Sequence, residues 1–411
     1  MCKSSIFFVV MLVGVLIMFC SKNSIYAEED SPRELNAVES KLVKADNKFG
    51  FNIFKEIVNE DKDSNVFISP LSISMALAMT YNGADGNTKQ AMASTLELSD
   101  LSITGMNESY QSMIELLMNL DPQVIFQIAN SIWYRQEYDV EHDFVDLNRT
   151  HFNAEIRALD FNKPNSVNII NNWVDKNTNG KIKEIVQPPI DPQTVMYLIN
   201  AIYFKGTWTY EFDKKDTRDD KFNLVNGSQV PCKMMVQEKR FRYFENDEFQ
   251  AIDLPYGDKK FSMIIFLPKP KVDVNTLISM LDSEDFDIWL GRFSKRSGTL
   301  YLPKFKIEYG LSLNRALSAL GMGIAFTDKA DFTKINKRGG LFISEVKHKT
   351  FIEVNEEGTE AAAVTSVGMM KTSVGPTPFV MRLDRPFILM IRENHSRAIL
   401  FMGKIMEPTL G

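Results

Sequence analysis

An α+β protein with large sheets is the fold class that this 411-residue sequence predicts. Three observations point to it. Apolar residues at helical spacing concentrate early in the chain, and long apolar strand patterns concentrate late. No repeat, low-complexity tract or Pro/Gly/Ser linker divides the chain.

In chain order, residues 1–27 read as a secretory signal peptide. Lys3 supplies the positive start, residues 6–19 are uncharged and mostly apolar, and Ala27 offers a small residue at the cut before Glu28-Glu29-Asp30. The run is short for a membrane span, which needs about 18 or more apolar residues. The bulk of Ile17, Met18 and Phe19 disfavours a lipidated Cys20. Residues 28–44 are polar and expected to be loosely ordered. Over residues 46–59, Phe49, Ile53, Phe54 and Ile57 fall at helical spacing. Ser69-Pro70 opens a helix expected to run to about Asn82, with serine at the N-cap and proline at the first helical position. Helical patterns also cover residues 107–120 and 165–179.

Apolar extended patterns predict strands over residues 124–134, 195–204, 251–267, 300–307 and 343–354. Asn226-Gly227, between Phe222-Asn223-Leu224-Val225 and Val230, predicts a hairpin. Residues 387–391 and 398–404 predict another, turning at Glu393-Asn394-His395-Ser396.

Composition narrows the function. With 44% hydrophobic and 24% charged residues the chain has ordinary globular composition. Removal of residues 1–27 leaves Cys232 alone, so no internal disulfide forms and the domain must rest on its core. The net charge is −6, about −8 without Lys3 and Lys22, which argues against a general nucleic-acid or anionic-membrane binder. Asn107, Asn148, Asn226 and Asn394 each begin an N-x-Ser/Thr triplet and are candidate N-glycosylation sites. The four histidines, His142, His151, His348 and His395, form no metal-binding spacing, and no cofactor is expected. No GxSxG, GxGxxG or GxxxxGK[ST] occurs, and nothing marks a nucleophile with its base, so the chain is not expected to be an enzyme.

The oddest stretch runs from Glu356-Glu357-Gly358-Thr359-Glu360 through Ala361-Ala362-Ala363 to Val364-Thr365-Ser366-Val367-Gly368. It is small, uncharged after Glu360, and has no helical stripe. Gly375-Pro376-Thr377-Pro378 ends it. The plain reading is an exposed loop, where proteases cut. Period two gives a second reading. Residues 359, 361, 363, 365, 367 and 369 are Thr, Ala, Ala, Thr, Val and Met, and would share one face of a strand. None would bury a charge, which would cost several kcal/mol.

The segment Glu356 to Ala363 closely resembles the hinge of inhibitory serpins. Family-like motifs cover essentially the whole chain after residue 27. They include Asn65-Val66-Phe67-Ile68-Ser69-Pro70-Leu71-Ser72, Gly83-Ala84-Asp85-Gly86-Asn87-Thr88, and Asn172-Trp173-Val174 leading to Gly180-Lys181-Ile182. Asn200-Ala201-Ile202-Tyr203-Phe204-Lys205-Gly206-Thr207-Trp208, Leu302-Pro303-Lys304-Phe305, Arg385-Pro386-Phe387 and Phe401-Met402-Gly403-Lys404 complete them.

The resemblance implies one domain over residues 28–411, with three β-sheets, about nine α-helices and an exposed reactive-centre loop at about 357–378. This overrules the two or three domains that length alone suggests. It implies a secreted, monomeric inhibitor whose cut loop inserts as a strand and traps the acyl-enzyme of a serine protease in a covalent complex. It places Ser69, Ser72, Asn200 and His348 where the sheet opens, as a polar latch, and sets Glu356, Lys304 and Trp208 at the mouth of the opening. Family counting takes the seventeenth residue from Glu356, giving the bond Thr372-Ser373, which suits an elastase-like target. Lys371 is the alternative, for a trypsin-like target, and Met369 or Met370 would suit a chymotrypsin-like one. A heparin-type partner is disfavoured, because no Lys or Arg occurs over residues 91–134. The rival expectations are a non-inhibitory family member, such as a carrier or folding helper, and a trap for cysteine proteases.

Overall fold

The first helix begins where its N-cap allows. The Asn36 side chain accepts hydrogen bonds from the Val38 and Glu39 amides, while the Glu39 carboxylate takes the Asn36 N–H. This capping box starts α1 (Ala37–Glu60) inside the stretch expected to be loose. The Asn-x-x-Glu spacing was the local signal, hidden by polar composition. The computed structural model describes residues 32–359 and 377–409, and the described residues from Glu34 onward form one compact unit.

β1 (Val66–Ile68) leads to α2 (Pro70–Tyr81), capped by the Ser69 hydroxyl, which accepts from the Ser72 amide. Then come α3 (Gly86–Thr95), α4 (Ile103–Met118), β2 (Val124–Arg135), α5 (His142–Phe152), β3 (Glu155–Leu159), α6 (Asn165–Asn177) and β4 (Met196–Thr207). β5 (Arg218–Asn223) and β6 (Gln229–Glu245) form the hairpin around Asn226-Gly227, with Gly227 at φ +83°. Residues 251–267, expected as one strand, fold as the hairpin β7 (Phe249–Tyr256) and β8 (Phe261–Pro268). Gly257 and Lys259, at φ +45° and +68°, reverse the chain between them.

α7 (Val274–Met280) and α8 (Ser283–Arg292) follow. Residues 300–307 divide at Lys304 between β9 (Ser294–Pro303) and β10 (Phe305–Ser312). α9 (Asn314–Leu317) completes nine α-helices among the described residues, followed by β11 (Lys347–Asn355), β12 (Gly358–Thr359), β13 (Phe379–Arg382), β14 (Phe387–Glu393) and β15 (Ile399–Ile405).

One sheet has six strands in the order β10-β11-β12-β4-β2-β3. The other assembly has nine, β1-β15-β14-β8-β7-β6-β9-β13, with β5 beside β6. The long β6 accounts for its continuity. Its first residues pair with β5, its middle with β9 and its last four with β7, so two sheets share one strand. Three sheets are thereby joined into two hydrogen-bonded assemblies.

β8, β14 and β15 are buried at every residue and mark the centre of the main core. α2 packs between β4 and β15. On the other side of the six-stranded sheet, α6 covers a smaller core of Trp133, Phe161, Val174 and Ile199.

Candidate functional site

The site begins where β11 turns into β12. Asn355 Oδ1 accepts from the Glu357 and Gly358 amides at 3.0 and 3.3 Å, closing the turn. Gly358 then runs at φ +151°, so close to β4 that a Cβ would meet the Gly206 carbonyl oxygen at 2.1 Å. Only glycine fits there. β12 is two residues long but is paired on both sides. Gly358 and Thr359 lie opposite Asn355 and Val354 of β11, and opposite Thr207 and Gly206 of β4.

Thr359 is buried, its hydroxyl 2.6 Å from that of Tyr256. Tyr256 in turn stacks on Trp208, ring centroids 4.4 Å apart. The Trp208 indole N–H donates to the Asn355 carbonyl at 3.0 Å, and its backbone N–H donates to the Glu357 carbonyl at 2.9 Å.

Both glutamates of the hinge are held by charge. Glu356 is 6% exposed at the side chain, and its carboxylate lies 2.8 Å from Lys304 Nζ. The Thr217 hydroxyl donates to its other oxygen at 2.8 Å. Burial pushes the Glu356 carboxyl up, but Lys304, a backbone amide and Thr217 together hold it below its ordinary value. Lys214 pairs with Glu357. Lys304 and Trp208 therefore stand beside Glu356 and Glu357. Tyr256, Lys214 and Thr217 had no local signal, because the contacts span about a hundred residues or more of chain. Asn355 did have one, an asparagine opening a turn.

Below the hinge the structure brings Ser69, Ser72, Asn200 and His348 into one hydrogen-bonded chain. The Ser69 amide donates to His348 Nε2 at 3.0 Å, and the Ser72 amide donates to Ser69 Oγ at 3.3 Å. The Ser72 hydroxyl donates to Asn200 Oδ1 at 2.5 Å, and Asn200 Nδ2 donates to Asn130 Oδ1 at 2.6 Å. Ser69 Oγ also donates to the Leu400 carbonyl at 2.7 Å. The chain thus ties α2 to β4, β11 and β15. His348 accepts at Nε2 and so is neutral. Burial lowers it to about 3.

Three of the candidate glycosylation sites do not fit the fold. Asn107 and Asn148 are fully buried, where both side-chain carbonyls accept from Asn82 Nδ2 at 3.0 and 3.1 Å. No oligosaccharide fits at either position. Asn394 Nδ2 donates to the Lys259 carbonyl and Ser262 Oγ at 2.8 and 2.9 Å, so a glycan there would break both bonds. Asn226 is exposed. Cys232 is a buried free thiol.

Glu360, Ala361, Ala362 and Ala363 lie outside the described residues. So do the candidate bait residues Met369, Met370, Lys371, Thr372 and Ser373, and the signal peptide. Among the described residues no cluster of His, Cys, Asp or Glu is arranged to hold a metal, and no helix is long and apolar enough to cross a membrane.

Residues 44–408 match the family model described as Serpin (serine protease inhibitor). Iripin-2 of Ixodes ricinus is 36% identical over 375 residues, covering 89% of this chain and 94% of the relative. The native-state structure of tengpin, a thermophilic serpin, matches with a TM-score of 0.83 at 35% identity, covering 92% of this chain and 96% of that one. A crystal structure of human thyroxine-binding globulin complexed with thyroxine matches with a TM-score of 0.83 at 28% identity, covering 91% of this chain and 100% of that one.

Proposed function

The chain belongs to the serpin family, and from that premise we propose that it is a secreted suicide inhibitor of a serine protease. The observation that carries the reading is β12, a strand already paired on both sides at the very start of the hinge. Among the described residues no pairing joins residues 196–205 of β4 to residues 347–353 of β11. Continuing the antiparallel register sets residue 366 opposite Lys347 and residue 369 opposite Met196. Among the described residues, both neighbours therefore have unpaired edge that could receive the hinge as it extends. Thr359 points to the core, so in an inserted strand residues 361, 363, 365, 367 and 369, all uncharged, would follow it inward.

The protease serine attacks the carbonyl of the bait residue, Thr372 in the first reading and Lys371 in the alternative, and an acyl-enzyme forms. The new C-terminal fragment leaves as the amine. The freed hinge then adds to the sheet between β11 and β4 and carries the bound protease with it, distorting the catalytic site before water can release it. In the inserted strand residue 365 would lie in register with both Asn200 and His348, so the polar chain through Ser69 and Ser72 would have to re-pair as the strand passes. It acts as the latch. Lys304 and Glu356 anchor the point from which insertion runs.

The likeness to thyroxine-binding globulin supports the rival, a carrier. Incubation of the purified protein with trypsin-, elastase- and chymotrypsin-like proteases, then denaturing gels and the mass of the released peptide, decides between them. A denaturant-stable complex is expected, and the peptide mass places the bond after Thr372, Lys371 or a methionine. Cleavage without complex across that panel and a cysteine-protease panel would sink the inhibitor reading in favour of the carrier.

A further inference from the structure

We propose that Asn226, alone among the four N-x-Ser/Thr triplets, carries an N-linked oligosaccharide in the folded protein. The proposal rests on the reading that the chain is secreted.

The four sites differ in what their side-chain amides are doing. Asn107 and Asn148 are locked with Asn82 in a wholly buried amide cluster joining the end of α2 to α4 and α5. An oligosaccharide on either would have to be buried, so molecules that acquired one would not reach this fold. Asn394 uses its Nδ2 for two hydrogen bonds that fasten the β14–β15 turn to the β7–β8 turn.

Asn226 is exposed at the tip of the β5–β6 hairpin. Its Oδ1 accepts from the Ser228 amide at 2.9 Å and the Ser228 hydroxyl at 2.7 Å. Its Nδ2 makes no hydrogen bond among the described residues. Gly227 has open space around it. The nucleophilic nitrogen thus faces solvent, while the hydroxyl that the triplet requires already polarises the amide oxygen. Beside it Val225 is 61% exposed, the most exposed large apolar side chain among the described residues, and a glycan would cover it.

In the transfer, Nδ2 attacks the anomeric carbon of a lipid-diphosphate-linked oligosaccharide supplied by the host. The C–N bond forms and the C–O bond to the diphosphate breaks. The amide proton passes to a base on the transferase, and the lipid diphosphate departs.

The full chain would be expressed in a eukaryotic secretory host, once with its own N-terminus and once behind a borrowed signal sequence. Intact mass would be read before and after peptide:N-glycosidase digestion. One glycan is expected on the secreted protein, with Asn226 converted to aspartate by the digestion. Asn226→Gln and Ser228→Ala should each abolish the shift and leave the melting temperature within about 1 °C, as expected for an exposed turn. Secreted protein without a shift, or a glycan on Asn107, Asn148 or Asn394, overturns the proposal. A chain kept in the cell with its own N-terminus but exported by the borrowed signal refutes the secretion reading, while the exported protein still decides Asn226.

Discussion

Thr359 is 3% exposed and hydrogen-bonded to Tyr256. An arginine there must bury an unpaired charge or pull the hinge out of the sheet. Thr359→Arg should therefore turn the inhibitor into a substrate, raising the number of molecules cut per protease trapped by at least about tenfold. Unchanged yield of complex on a denaturing gel would refute insertion. Asp46 makes a different test. Burial raises its carboxyl to about 7, with the Tyr110 hydrogen bond, 2.7 Å long, only partly opposing. Between about pH 4 and 7 the folded chain keeps a proton that the unfolded chain has lost, so stability falls as pH rises through that window, by up to about 1.4 kcal/mol per unit. His348, lowered to about 3 by burial, acts with the opposite sign. Below about pH 6.5 the unfolded chain takes up a proton that the folded chain refuses, so stability falls with falling pH. The two slopes cancel between about pH 4 and 6.5. Asp46→Asn should free the variant of the first and leave the second. Denaturant melts at pH 4.5, 6 and 7.5 should show the variant gaining on the wild type with each step; a constant difference would show that Asp46 does not titrate in this range.

At the scale of elements, Gly358 sets the place of β12. Gly358→Ala would push a methyl against the Gly206 carbonyl. Loss of β12 pairing should follow, seen as faster hydrogen exchange at the Trp208 and Phe212 amides, which donate to the Glu357 and Glu356 carbonyls. Unaltered protection at both would show that the hinge does not depend on this glycine. The same elements show what sequence can and cannot reveal. Ser69-Pro70 started α2 and Asn226-Gly227 turned the β5–β6 hairpin as expected, because caps and tight turns are local chemistry. The 251–267 run concealed a hairpin, because apolar residues flank its turn, Gly257-Asp258-Lys259-Lys260, on both sides and mask the Gly-Asp turn signal inside the run. β12 was legible only as a period-two pattern. Its partners and its depth depend on Tyr256 and Gly206, which no local pattern joins to Thr359. The latch residues came from motif resemblance, whereas Asn130, which extends their chain, carried no such mark.

Across the whole molecule, the six-stranded sheet reaches from β3 to β10 through a link only two residues wide. A loop cut at the bait bond can fill that line, with residues 360–366 paired on both edges. The cut protein should therefore melt higher than the intact one by more than about 10 °C, given that each kcal/mol moves the midpoint of so large a domain by a degree or two. Scanning calorimetry before and after limited proteolysis in the loop measures it, and an unchanged midpoint would mean that the native fold stores no such free energy. That the described residues from Glu34 onward form one compact unit was not legible from length. Its evidence lay in motifs from Asn65 to Lys404, the first and last of which meet where β1 pairs with β15.

The two docked residues of β12 also bear on timing. In the proposed mechanism every encounter with a protease is a race between hydrolysis of the acyl bond and translocation of the loop, and the winner decides whether the inhibitor is wasted. Starting a new strand in a closed sheet would be the slow step, as nucleation is in any zipper. With Gly358 and Thr359 already seated between β11 and β4, that step would be over before a protease arrived, and only propagation would be left to outrun a water molecule.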